Sequence, residues 1–294
     1  MMDNSSPQTG EFYRLSEQME IDVATLAIQE RALIERMGGL FPQRENSFAD
    51  FTRVLDVACG TGTWAVRVAR ENPRLEVIGL ASQPVLRDHA EGLAQAQEVE
   101  NARFLLLRFG EKPELPFPDQ AFDFVQTHYL HAWLRPRDWP GFLKECSRVT
   151  RPGGYLCMTE PEWGGSTSPA LNRLTQLSLR ALQKVGQLLS PDDRQVGAGV
   201  QLRRFVTDAG WIDVTQRTYA TDYGMGIAMP QSPEMRIELL MRPFRSLILR
   251  EEVVTEDEVR DLMAQASKEA GREDFRASRL LVSVCGRKPG GSEV

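Results

Sequence analysis

The chain has 294 residues, 41% apolar and 26% charged, enough for a large buried core in an α/β architecture. Its formal net charge of −6, with no cluster of Lys or Arg, excludes a protein built to neutralise a phosphate backbone, so no nucleic acid is expected as partner. No apolar run approaches the roughly 18 residues a membrane span requires, which points to no membrane association and a cytoplasmic location by default.

The first 15 or so residues are polar apart from the aromatic pair Phe12 and Tyr13. From Ile21 to Met37, apolar residues at Val23, Leu26, Ala27, Leu33, Ile34 and Met37 follow helical spacing, and Gly38-Gly39 closes the helix. This helix precedes the sheet and is read as a cap over a cleft or a packing helix on its edge. The stretch Arg53 to Ala69 then reads as strand, tight loop, helix. Val54, Leu55 and Val57 suit a buried parallel strand. Gly60 and Gly62 let the backbone approach a ligand closely, and the following helix points its N-terminus at that place. Asp56, near the strand's carboxyl end, is positioned to accept hydrogen bonds from a cationic amino group.

This strand, with its acidic residue and alternate glycines, resembles the first motif of the class I S-adenosylmethionine-dependent methyltransferases. The resemblance extends from about Phe41 to Pro161 and resumes at the last strand. Ala58 stands where the family's first glycine would be. It implies a cofactor loop of Asp56, Ala58, Gly60, Thr61 and Gly62. The second strand, Leu75 to Ala81, ends on Ala81 where the family carries an acid for the ribose hydroxyls; Ser82 and Gln83 follow as neutral candidates. Next come a helix from Pro84 to Ala96 and a third strand, Ala102 to Leu107. Gly110-Glu111-Lys112-Pro113-Glu114-Leu115-Pro116-Phe117 then resembles the segment whose acid accepts the adenine amine, which places Gly110 and Glu111 in the cofactor site.

The fourth strand, Phe122 to Val125, leads to Gln126-Thr127-His128-Tyr129-Leu130-His131, which holds two of the chain's three histidines. Ligands of open parallel sheets lie beyond the strands' carboxyl ends. If the segment turns helical, His128 and His131 share a face and lie within reach of one another or of one transferred proton. No metal is expected, because neither Glu160 nor Glu162 makes an evident third ligand to this pair. The four cysteines have neither zinc-like nor Cys-x-x-Cys spacing and are expected as reduced, buried thiols. A helix from Trp139 to Val149 precedes Arg151-Pro-Gly-Gly, the family's turn into its fifth strand. Beyond Glu160 the chain departs from the pattern: a helix is expected from Ser168 to about Leu189, another from Leu202 to Ala209, then a strand from Trp211 to Tyr219. From Tyr223 to about Ser278 the pattern is helical and methionine-bearing, with a capping box at Thr255 to Glu258. Ser278 to Lys288 is the last strand, antiparallel by the resemblance.

The expectation is therefore a doubly wound α/β fold with a mostly parallel, seven-stranded, Rossmann-like sheet. Residues 1–50 form a helical cap, 51–222 and 279–289 the core with a helical insertion at about 163–198, and 223–278 a helical lid. The resemblance implies S-adenosylmethionine as cofactor, S-adenosylhomocysteine as product, and methylation of a small, largely apolar metabolite of natural-product type. His128 is the first candidate base, with His131, Tyr129 and Tyr13 as alternates. Two other readings stay open: a methyltransferase fold repurposed for cyclisation or rearrangement, favoured by Ala81, and a non-catalytic regulatory protein of that fold. The sequence leaves the oligomeric state open, a homodimer included.

Overall fold

The structure is a computed structural model and describes residues 23–107, 114–132, 134–222 and 232–290. Seven strands form one sheet in the order β3-β2-β1-β4-β5-β7-β6. They are β1 (Arg53–Val57), β2 (Glu76–Ala81), β3 (Ala102–Leu106), β4 (Phe122–His128), β5 (Thr150–Ser166), β6 (Ile212–Asp222) and β7 (Ala277–Arg287). The first five run parallel, and β7 lies antiparallel between β5 and β6. Strand order reverses between β1 and β4, so a crevice opens at the carboxyl ends of those two strands. Both strands are covered on each face, so they are buried along almost their whole length rather than on alternate residues.

Helices α2 (Thr63–Glu71) and α3 (Pro84–Ala96) cover one face, packing Trp64, Val68, Leu86 and Ala90 over Val54, Val77 and Phe124. Helices α4 (Trp139–Val149) and α6 (Ala198–Asp208) cover the other, around Leu55, Val57, Leu80 and Val125. A third apolar cluster joins α5 (Pro169–Lys184), α7 (Pro233–Arg250) and α8 (Glu256–Ala270). The stretch after β5 and the helices between β6 and β7 thus share one helical layer. Serine and threonine hydroxyls open these helices: Ser168, Ser232 and Thr255 each accept a backbone N–H of the first turn.

Helix α1 (Val23–Met37) lies against α2 and β6. The segment after it is pinned by aromatic packing, with Phe41 4.4 Å from Phe124 between ring centroids and Phe51 stacked on the same ring at 6.0 Å. The Trp64 indole N–H donates to the Leu40 carbonyl at 3.0 Å. These contacts hold α1 beside the loop that follows β1.

Three expectations shift. Strand β5 runs through Trp163-Gly164-Gly165 to Ser166, because β7 pairs with it over that whole length, so the strand extends past Pro161 almost to the helix that opens, as expected, at Ser168. Helix α5 ends at Lys184 rather than near Leu189. Cys157 and Cys285 are joined as a disulfide, and only Cys59 and Cys146 remain as free, buried thiols. The pairing arises from register: the two residues face each other across β5 and β7 with Cα atoms 4.2 Å apart, a neighbourhood that a separation of 128 residues conceals. Phe12, Tyr13, Gly110, Glu111, Met225 and Met229 lie outside the described residues.

Candidate functional site

The crevice is built from the ends of β1, β2 and β4. Asp56 is paired in register with Gly79 on one side and Gln126 on the other, so its side chain shares a sheet face with Gln126. It is 1% exposed, and neither carboxylate oxygen has a hydrogen-bond partner among the described residues. A buried carboxylate without donors is costly unless a proton or a cation reaches it. Desolvation by burial, with the nearby Glu30 carboxyl adding to it, holds the Asp56 pKa well above its ordinary value.

The loop after β1 carries the unusual backbone that its glycines foretold. Gly60 has φ +55° and Gly62 φ +78°, and Ala58 sits at φ +60°, where the resemblance placed a glycine. A methyl-bearing residue held in this left-handed region stores local strain of the kind that clusters at ligand sites. The two glycines answer different needs. A Cβ at Gly62 would meet Ala90 Cβ at 2.5 Å and Phe104 Cε1 at 3.1 Å, so that glycine lets the start of α2 pack on α3. A Cβ at Gly60 would collide with Glu30 Oε1, a side chain of the cap helix.

Glu30 is the functional candidate that sequence reading missed. Its carboxylate accepts the Thr61 N–H at 2.9 Å and the Thr61 hydroxyl, and Thr63 adds backbone and side-chain hydrogen bonds. The signal was present in α1: positions 23, 26, 27, 30, 33, 34 and 37 form one stripe, apolar at every place except 30. An acid in that stripe faces the protein interior. Desolvation raises the Glu30 pKa from 4.5 to about 7, against the opposing effect of the Thr61 and Thr63 hydrogen bonds.

This sets a pH dependence of known sign. Between the unfolded value of 4.5 and the folded value of about 7, the native empty protein holds a proton that the unfolded chain has released. Stability contributed by that bound proton is present below this window and is lost as pH rises through it. The groups facing Glu30 are Asp56 on β1, Cys59 in the loop and the hydroxyls of Thr61 and Thr63. Urea unfolding at pH 5 and pH 8 is expected to show wild type losing on the order of 1–3 kcal/mol more than Glu30→Gln over this interval. Parallel profiles for the two proteins would remove Glu30 as the source.

At the end of β2, Ala81 is fully buried, packed in the same apolar cluster as Leu86 and Ala90. Its carbonyl accepts the Leu107 N–H at 2.7 Å. Ser82 and Gln83 follow, both half-buried. The end of β2 therefore carries neutral side chains at Ala81, Ser82 and Gln83.

Beyond β4 the two histidines part. His128 closes the strand, with its Nε2 2.6 Å from Gln126 Nε2, and desolvation lowers its pKa to about 4. His131 lies in a short 3-10 turn, 6% exposed, with Nδ1 2.8 Å from Glu160 Oε2. The segment does not continue as a helix from His128, so the two rings find separate partners instead of one another. Glu160 is wholly buried and also accepts the backbone N–H groups of Leu130 at 2.7 Å and His131 at 3.1 Å. Those bonds lock the turn, and the ring contact assigns the Nδ1 proton to the Glu160 side, leaving Nε2 to accept. Glu162 is occupied elsewhere, accepting the Val196 N–H at 2.8 Å and the Gly197 N–H at 2.9 Å where α6 begins. Tyr129, at φ +57°, stands between the histidines, with its ring 6.4 Å from that of His131. It packs with Tyr219 against Leu33 and Met37 of the cap helix and Leu281 of β7.

An orphaned buried carboxylate at a strand end, a glycine loop with left-handed backbone and a helix N-terminus beside it fit the amino-acid end of S-adenosylmethionine. Residues 54–154 match the family described as methyltransferase domain. An uncharacterised methyltransferase of Schizosaccharomyces pombe is 40% identical over 113 residues, which cover 37% of this chain and 40% of the relative. Demethylmenaquinone methyltransferase of Geobacillus kaustophilus is 29% identical over 182 residues, 57% of this chain and 74% of that one. Among solved structures, phosphoethanolamine N-methyltransferase 2 of Haemonchus contortus, in complex with phosphomonomethylethanolamine and S-adenosylhomocysteine, superposes with a TM-score of 0.55 at 15% identity. That match covers 95% of this chain and 60% of the nematode protein. The fold is that of the Rossmann-like methyltransferases. Residues 54–154 thus carry the similarity to a methyltransferase domain, within a fold shared with that N-methyltransferase. The chain spans 40% of the length of the fission yeast relative. Among the described residues, no helix is long and apolar enough to cross a membrane.

Proposed function

We propose that the protein transfers the methyl group of S-adenosylmethionine to a small, largely apolar acceptor, with His131 taking the acceptor's proton. The observation that carries the cofactor half of this reading is Asp56: a buried carboxylate with both oxygens unpartnered is matched by an α-amino cation. Asp56 and the loop of Ala58, Gly60, Thr61 and Gly62 would hold the amino-acid end, and Ser82 and Gln83 the ribose through neutral bonds. Gly110 and Glu111 remain assigned to the adenine by resemblance alone. When bound, the sulfonium supplies a methyl carbon that is already electrophilic. The chain's own task is to orient the acceptor and exclude water.

The acceptor half rests on the strand-end surroundings. Tyr129, Tyr219, Leu33, Met37 and Leu281 pack as one apolar cluster between cap and sheet, an environment that favours an apolar acceptor beside it. Bacterial relatives named demethylmenaquinone methyltransferases favour a small-molecule acceptor over a protein or nucleic acid. His131, with Nδ1 held by Glu160, has the geometry of an oriented base.

The test is incubation with cofactor labelled in the methyl group and a panel of small aromatic and phenolic acceptors, with product analysis by mass spectrometry. Label in a small-molecule product supports the reading. Conversion of an acceptor without label selects a rearrangement catalyst, and absence of cofactor binding by calorimetry selects a non-enzymatic role.

A further inference from the structure

We propose that Glu30 of the cap helix is a second acidic ligand of the cofactor, receiving the α-amino cation together with Asp56, so that the cap is part of the cofactor site and closes on its charge. This rests on the cofactor assignment above. The Glu30 carboxylate lies over Gly60, in the space that the glycine's missing side chain leaves open. A packing helix would carry leucine at that point of the stripe. A charged residue there is tolerated only where something receives it, and the Thr61 N–H and hydroxyl receive part of it.

They do not saturate it. A carboxylate has about four lone-pair directions and accepts from several donors at once. Asp56 has accepted from none among the described residues, although it is almost completely buried. The two acids are close enough that each bears on the other's charge, and no Lys, Arg or His side chain pairs with either among the described residues. Two neighbouring acids, one of them buried with both oxygens unpartnered and neither with a cationic partner among the described residues, are a site short of a cation. An alkylammonium, with three donors on one atom, suits it better than a neutral ligand does. The cap then has a reason to sit where it does: Glu30 bonds the loop at Thr61 while reaching the same cation as Asp56.

The test compares two ligands that share adenosine and thioether: S-adenosylhomocysteine, which carries the ammonium, and 5′-methylthioadenosine, which lacks the amino-acid end. Calorimetry on wild type, Glu30→Gln and Glu30→Asp is expected to show S-adenosylhomocysteine weakened tenfold to hundredfold by Glu30→Gln, as loss of a charge-assisted bond implies, and less by Glu30→Asp. Affinity for 5′-methylthioadenosine should stay within about twofold of wild type, a selectivity that loss of cap packing would not produce. Equal weakening of both ligands would mean that Glu30 only docks the cap, and overturn the inference. Tighter S-adenosylhomocysteine binding by Glu30→Gln would make Glu30 a plug that the cofactor must displace, which overturns it equally. If wild type binds neither ligand, the cofactor assignment itself falls and takes the inference with it.

Discussion

Replacing Gly60 with valine is expected to abolish binding of S-adenosylhomocysteine, beyond a hundredfold loss by calorimetry, and to loosen the cap. Two penalties act together. The residue's φ of +55° is accessible to glycine and costs a β-branched residue on the order of 1–3 kcal/mol. The new Cβ would also stand where the Glu30 carboxylate rests, so either the loop or the cap helix must move. Limited proteolysis should then cut within the α1 segment faster than in wild type. Gly62→Ala is the control. It too has a positive φ, but its Cβ meets Ala90 and Phe104, so its penalty falls on the packing of α2 against α3 and on stability more than on the ligand face. Retention of ligand affinity by Gly60→Val would show that the cofactor's amino-acid end does not lie over this loop.

The parts of the molecule that were readable in advance are those in which one local pattern decides the outcome. The run Val54-Leu55-Asp56-Val57, broken by glycines and followed by helical spacing, reads as strand, loop and helix because burial on both faces leaves no polar alternation. The helices Pro84–Ala96 and Trp139–Val149 have the bounds that their periodicity implies. Asp56 was legible as an acid ending an apolar strand, and the structure buries it there with both oxygens unpartnered among the described residues. What escaped was whatever depends on two distant segments meeting. Cys157 and Cys285 become partners through sheet register alone. Trp163-Gly164-Gly165 looks like a break until β7 pairs with it, since the far strand supplies the hydrogen bonds that make it a strand. The histidines were correctly located but wrongly coupled: their spacing is helical in sequence, whereas the backbone leaves β4 at His128 and turns through Tyr129 at positive φ. Glu160 was weighed as a metal ligand because its real partners, two backbone N–H groups and one imidazole, lie about thirty residues upstream. Glu30 was passed over in a run of apolar positions, though a single acid in such a stripe marks a side chain with a buried partner.

His131→Ala is expected to lower turnover by a factor of about 10² to 10⁴ while leaving S-adenosylhomocysteine affinity within about threefold, because in the role proposed above the residue acts on the acceptor's proton and not on the cofactor. The competing candidate is His128, and the two differ in what their surroundings permit. With a pKa of about 4, His128 is neutral at physiological pH and a weak proton acceptor, and its Nε2 is engaged by Gln126. His131 has Nδ1 on a buried carboxylate that stabilises the imidazolium formed when Nε2 takes a proton. His128→Ala should therefore reduce turnover less than tenfold. Glu160→Gln serves as the positioning variant. An amide in place of that carboxylate has one acceptor oxygen for three donors, the N–H groups of Leu130 and His131 and the ring, so the turn loosens and the imidazole loses its fixed tautomer. Turnover should fall with Glu160→Gln, and the acid limb of the kcat/KM profile should shift or flatten, which a purely structural loss of active protein would not cause. A His131→Ala enzyme with the wild-type profile would return the proton-accepting role to His128 or to the acceptor itself. An acceptor acidic enough to arrive ionised needs no base, and in that case His131→Ala would keep its rate on ionised acceptors and lose it only on neutral ones.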